Sequence, residues 1–219
     1  MGNAWSRSTA LLVPVALVAC AAGLGRAAPA LAEPGASPGR VRGTVTLGVA
    51  DARLAALGPV VVFLDATTGA LDFPPPEKVP RISQRNAQFS PSFLVVARGQ
   101  RVEMPNDDTI FHNVFSYSKQ NELDLGLYPQ GESRTITLRH PGAVRIYCSI
   151  HESMNAVIFV APSPYHAQVS AAGAFDIRDV PAGTYRLRTW NEKLPEAARE
   201  VEIIGGRTTS VDIVIGPRI

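Results

Sequence analysis

The sequence predicts an all-β protein. Short Val- and Ile-rich runs recur along the chain, and 18 glycines and 18 prolines stand between them in 219 residues. Such runs bounded by turn formers read as strands. Hydrophobic residues make up 46% and charged residues 18%, which is globular composition for one or two small domains.

The first 32 residues read as a targeting segment and are set apart from the fold. Arg7 precedes the apolar run ALLVPVALVACAAGLG, residues 10–25. That run is short for a membrane span, which needs about 20 apolar residues. Two processing sites compete. Ala30–Ala32 suits ordinary cleavage before Glu33, and Leu17–Cys20 resembles a bacterial lipobox that would leave Cys20 lipidated. Either outcome, or an uncleaved anchor, places the body outside the cytoplasm, with periplasmic localisation expected. Cleavage at residue 32 removes Arg7 and Arg26, leaving 19 basic against 19 acidic residues. Nothing in that balance points to nucleic acid. Cys148 is then the sole cysteine, so no intramolecular disulfide can form. A lone thiol in an oxidising compartment is a liability unless buried or metal-bound.

Residues 33–40 form a lead-in. VRGTVTL, 41–47, alternates as a strand, and VVVFLD, 60–65, reads as a buried strand. The triple proline in 70–80 marks a linker. Strands follow around 92–97 and 101–104, with Arg98–Gly99–Gln100 as the turn. FHNVFSYS, 111–118, is aromatic and β-prone, and Phe111 and Tyr147 are expected in the core. Strands at 133–139 and 143–148 are separated by His140–Pro141–Gly142, and 155–162 is another strand. His140 and His166 read as surface residues, and Asp107 and Asp108 as turn residues. In 173–190, Phe175 and Ile177 share one face, as do Tyr185 and Leu187, with Pro181–Ala182–Gly183 as the turn. REVEII and RTTSVDIVI, joined by Gly205–Gly206, suggest a terminal hairpin.

The chemistry lies in YCSIHESM, 147–154, which sets Cys148, His151 and Met154 three residues apart. On a helix this spacing would be ordinary packing. The flanks VRIY and AVIFV are strands, so a hairpin-like loop is the better reading. His112, in another β segment, supplies a fourth donor. Two imidazoles and a thiolate with a weak axial thioether suit a blue-copper centre. Zinc gains little from methionine, and iron–sulfur clusters need several cysteines. A two-copper thiolate-bridged centre lacks its second cysteine. A multicopper oxidase lacks its histidines, since only His140 and His166 remain.

Cys148, His151 and Met154, with His112-Asn113 upstream, resemble the cupredoxins, in the short-loop variety of amicyanin and pseudoazurin. FSPSFLVVARGQRVEMPNDDTIFHN, 89–113, resembles the N-terminal half of that family. The resemblance covers about residues 81–162. It implies a Greek-key cupredoxin sandwich with one type 1 copper ion on His112, Cys148, His151 and Met154. It also implies that Asn113 ties the two ligand loops together, with Ser149 beside it. Glu152 departs from the family, whose short loops often carry proline there. The carboxylate would favour a cationic partner, or raise the basicity of the His151 imidazole when the metal is reduced, in place of a purely apolar docking patch.

The flanking pattern, RGTV and VVVFL before and G.F.I..VPAG.Y.L..W after, resembles carboxypeptidase-regulatory-like, transthyretin-like sandwiches. Residues 41–68 and 166–217 are accordingly read as one additional β-sandwich layer into which the cupredoxin is inserted. The order of parts also looks similar to bacterial methylamine-utilisation-type cupredoxins. The expected function is one-electron transfer to a transient partner, a cytochrome c or a periplasmic dehydrogenase or oxidase. No enzymatic activity is expected. A copper chaperone or storage protein, and a structural module with a degenerate site, are the alternatives.

Overall fold

A computed structural model describes residues 1–2, 37–49 and 53–216. The cleavage sites and Cys20 lie outside the described residues. Strands from the two ends of the chain frame a central group. β1 (Gly39–Leu47) and β2 (Val60–Ala66) come first. The central strands are β3 (Ser83–Arg85), β4 (Gln88–Ser90), β5 (Phe93–Ala97), β6 (Arg101–Pro105), β7 (His112–Ser116), β8 (Leu123–Tyr128), β9 (Ser133–Thr137), β10 (Gly142–Tyr147) and β11 (Asn155–Ala161). The chain ends with β12 (His166–Gln168), β13 (Ala174–Val180), β14 (Gly183–Asn191), β15 (Ala198–Ile203) and β16 (Thr208–Ile215). The protein is all-β, as the sequence predicts. No helix among the described residues is long and apolar enough to cross a membrane.

The central strands form a five-stranded sheet, ordered β5-β11-β10-β7-β8, with the pairs β6-β9 and β3-β4. One core joins them. Val102 and Met104 of β6 and Ile136 of β9 meet Val114, Val144, Ile146, Ile158 and Val160 of the larger sheet. β10 shows the physical logic. Val144 and Ile146 point inward, while Arg145 between them is exposed, which is period-two alternation on a half-solvated sheet.

The outer strands form two further sheets, β13-β1-β16 and β12-β2-β14-β15, around a second core. Phe175, Ile177, Tyr185 and Leu187 are all buried there, on the shared faces that the sequence suggested. Gly43 is needed where β1 runs between β13 and β16, because a Cβ there would stand 1.6 Å from the Val211 carbonyl oxygen. No side-chain rotation relieves a clash with backbone.

β2 and β11 read as unbroken apolar runs because both are buried on both faces. Val60, Val62 and Leu64 fill the second core. Val61 and Phe63 face the other way, against Phe159 and Ala161 of β11. This third cluster joins the two sandwiches. Trp190 stacks on Phe159 at 4.6 Å and on Phe93 at 5.7 Å.

Three expectations are corrected. β15 and β16 do not form a hairpin. β15 pairs with β14, whereas β16 crosses to the other sheet and runs parallel to β1. Phe111 is 56% exposed rather than in the core, because it precedes β7 outside the sheet. His166 is partly buried in β12, paired opposite Phe63, rather than on the surface.

His166 makes stability pH-dependent. Burial pushes its imidazole down to about 4, from about 6.5 in an unfolded chain. Between those values the unfolded chain binds a proton that the folded protein excludes. Stability is therefore full above about pH 6.5 and falls as pH drops through about 4. A His166→Gln variant is expected to flatten that decline, read as urea midpoints across the same range. An equally steep decline in the variant would assign the effect elsewhere.

Candidate metal centre

The site forms where β7 begins and where β10 gives way to β11. β7 pairs with β10 through Phe115 and Tyr147, so His112 and Cys148 lie at one end of adjacent strands. β10 and β11 form an antiparallel pair whose last register match is Tyr147 with Asn155. Residues 148–154 are the loop between them. The Cys148 N–H donates to the Met154 carbonyl at 3.2 Å, and the Met154 N–H donates to the His151 carbonyl at 2.9 Å. These bonds narrow the loop and turn its side chains together.

Three donors converge. The Cys148 Sγ lies 3.8 Å from His112 Nδ1 and 3.9 Å from His151 Nδ1. All three donor atoms lie within 4.8 Å of one another. With zinc-like bonds of about 2.3 Å to sulfur and about 2.0–2.1 Å to nitrogen, a trigonal site separates S and N by about 3.8 Å, and a tetrahedral one by about 3.6 Å. Both observed spacings are short enough for one ion to bond the sulfur and each nitrogen. His112 is fully buried and Cys148 nearly so. His151 is half-buried and is the donor nearest solvent. Met154 is fully buried in the first core, at the end of the same loop.

The outer contacts are specific. Asn113 Oδ1 accepts from the Ser149 backbone N–H at 2.7 Å and from the Ser149 hydroxyl at 3.0 Å. The residue after each of two donors thus ties the two segments together. Sequence reading missed Asp108. Its Oδ2 lies 3.0 Å from His112 Nε2 and accepts from the Ala87 N–H at 2.8 Å. The Ala87 N–H, and then His112, hold the Asp108 carboxyl below the usual carboxylate range. The available signal was its position four residues before a ligand candidate. His140 is exposed. Asp107 accepts from the Ser83 hydroxyl at 2.5 Å.

Fold and site together define an all-β protein carrying a largely buried His–Cys–His group. Several solved structures are similar to it. A purple cupredoxin from Nitrosopumilus maritimus is 20% identical, with TM-score 0.34, over 37% of this chain and 99% of that one. An amicyanin variant in its reduced Cu(I) form at pH 4 is 17% identical, with TM-score 0.36, over 44% of this chain and 90% of that one. A second reduced amicyanin variant is 14% identical, with TM-score 0.37, over 45% and 97%. The family model for domain II of polysaccharide lyase family 4 matches residues 161–211. That match spans β12 to β15 and the start of β16, and it lends no support to the carboxypeptidase-regulatory-like reading of these strands. A comparison with curated proteins gives no match.

Proposed function

We propose that the chain is an exported one-electron carrier holding a single type 1 copper ion. The observation that carries this reading is the convergence of His112 Nδ1, Cys148 Sγ and His151 Nδ1 within 4.8 Å of one another in a largely buried site. The Met154 thioether would be the weak axial donor, and that set suits blue copper. The ion would supply a Cu(I)/Cu(II) couple.

The chain's own residues do the rest. Cys148 offers its buried sulfur. The Asn113–Ser149 bonds hold the two ligand segments in one arrangement, so little has to move when charge changes. His151 gives the site its outlet. Ile110, Phe111, Leu127 and Ile150 are exposed large apolar side chains near the ligand segments. Glu152 adds a negative charge beside His151. Such a surface suits a brief encounter with a cytochrome c or a periplasmic dehydrogenase or oxidase. The second sandwich packs on Phe159 and Ala161, toward the far end of β11 from the loop. It therefore leaves the metal end free. We read it as a structural layer with residues 81–162 inserted in its sequence. No substrate is transformed in this reading. A methionine-rich copper chaperone is less well supported, since Met104 is fully buried in the core.

The test is optical and electron-spin spectroscopy of the purified protein with Cu(II). An intense blue or purple band with one copper per chain is expected. A colourless protein that binds only Cu(I) would instead support a copper chaperone.

A further inference from the structure

We propose that Asp108 is a positioning residue for this metal centre. Its carboxylate fixes the His112 ring and biases bound copper toward Cu(II), and the β3–β4 hairpin holds the carboxylate in place. The inference rests on the copper reading above.

His112 has no access to water. With Nδ1 turned toward the Cys148 sulfur and given over to a metal, Nε2 would carry the ring proton and donate to Asp108 Oδ2, 3.0 Å away. This bond fixes both tautomer and ring rotation, and an anionic acceptor makes the imidazole a stronger donor to a metal. The more highly charged ion gains more from that than Cu(I) does.

The carboxylate is itself held. Oδ2 accepts from the Ala87 N–H at 2.8 Å and Oδ1 from the Thr109 N–H at 2.9 Å. The Asp108 N–H donates to Asn106 Oδ1 at 3.0 Å. Asn106 is fully buried, and its amide donates to the carbonyls of Ile110 and Tyr128 at 2.8 and 3.0 Å. The loop from Asn106 to Ile110 is therefore rigid.

The hairpin supplies the remaining observation. Asn86 and Ala87 both sit at φ 53°. A two-residue turn with both central residues left-handed favours glycine at the second. Alanine there carries a backbone cost of the kind that persists where the surroundings require it. The conformation aims the Ala87 N–H at Asp108. No turn requirement of the hairpin alone explains a bond to a residue 21 positions away.

Asp108→Asn keeps the shape and removes the charge. Asp108→Ala removes the acceptor. With copper loaded, both are expected to keep a type 1 spectrum. The preference for Cu(II) over Cu(I) should fall about tenfold in Asp108→Asn, a rise of about 59 mV for a one-electron couple. Cu(II) affinity in competition with a chelator should fall about 10- to 100-fold in Asp108→Ala. A lowered melting temperature with an unmoved midpoint potential would overturn the proposal, since a merely structural residue does just that. If the unsubstituted protein gives no type 1 spectrum, the copper reading itself has failed. A blue unsubstituted protein with unshifted variants refutes the role of Asp108 alone.

Discussion

Cys148→Ser is expected to abolish the visible absorption of the copper-loaded protein. The sulfur is the shared vertex of the donor group, within 4 Å of both imidazoles. Among the described residues it is the one free cysteine. The colour of a blue site belongs to the copper–thiolate bond, and its trigonal plane contains that sulfur. A serine hydroxyl is nearly the same shape, but it stays protonated near neutral pH and is a hard oxygen donor. The two histidines that remain would hold Cu(II) in a weaker and pale site. The apo protein should stay folded but lose about 1–3 kcal/mol, the cost of a buried hydroxyl that lacks a partner. Optical spectra and metal content measured on the same sample separate the effects. A variant that folded and kept the intense band would disprove the assignment of Cys148 as ligand.

Much of this site was legible because its information is local. Cys148, His151 and Met154 sit in seven residues between two β-branched strands, so a loop of converging donors followed from the flanks. His112 needed more, namely that its strand lies beside β10, and the β7–β10 pairing supplies it. Asp108 was not legible as more than a turn former, since its role depends on the direction of the His112 ring and on the hairpin across from it.

The fold divides along the same line. Alternation in β13 and β14 showed which faces turn inward. It did not show which edge a strand joins. Gly205–Gly206 between two alternating runs looked like a hairpin turn, yet β1 offers β16 an edge in the other sheet. The short, polar β3 carries too little pattern to stand out, although it and β4 form the hairpin behind Asp108. The apolar run of β2 signalled burial, but not that one of its faces is buried against β11.

That mutual burial leads to a second large effect, for Phe159→Ala. Phe159 is 3% exposed and points away from the first core. Its ring centroid lies 5.3 Å from that of Phe63 and 4.6 Å from that of Trp190. Truncation of a buried phenylalanine costs about 3–5 kcal/mol. Here the lower end is expected, because a cavity of about 500 Å³ already lies beside the ring and admits solvent to part of the gap. The ion pair between Arg145 and Glu192, which also links the sandwiches, is about half exposed and contributes little. A loss of about 3 kcal/mol is a large share of the 5–15 kcal/mol that typically holds a folded chain. Its location matters more than its size. The ring belongs to neither sandwich's own core, so its loss weakens their coupling first. Urea unfolding should lose its single transition and separate into two, with the copper spectrum unchanged through the first. The metal loop lies at the opposite end of β11 and keeps its own strand pairing. A single transition with an unmoved midpoint would show that the aromatic junction does not hold the two sandwiches together.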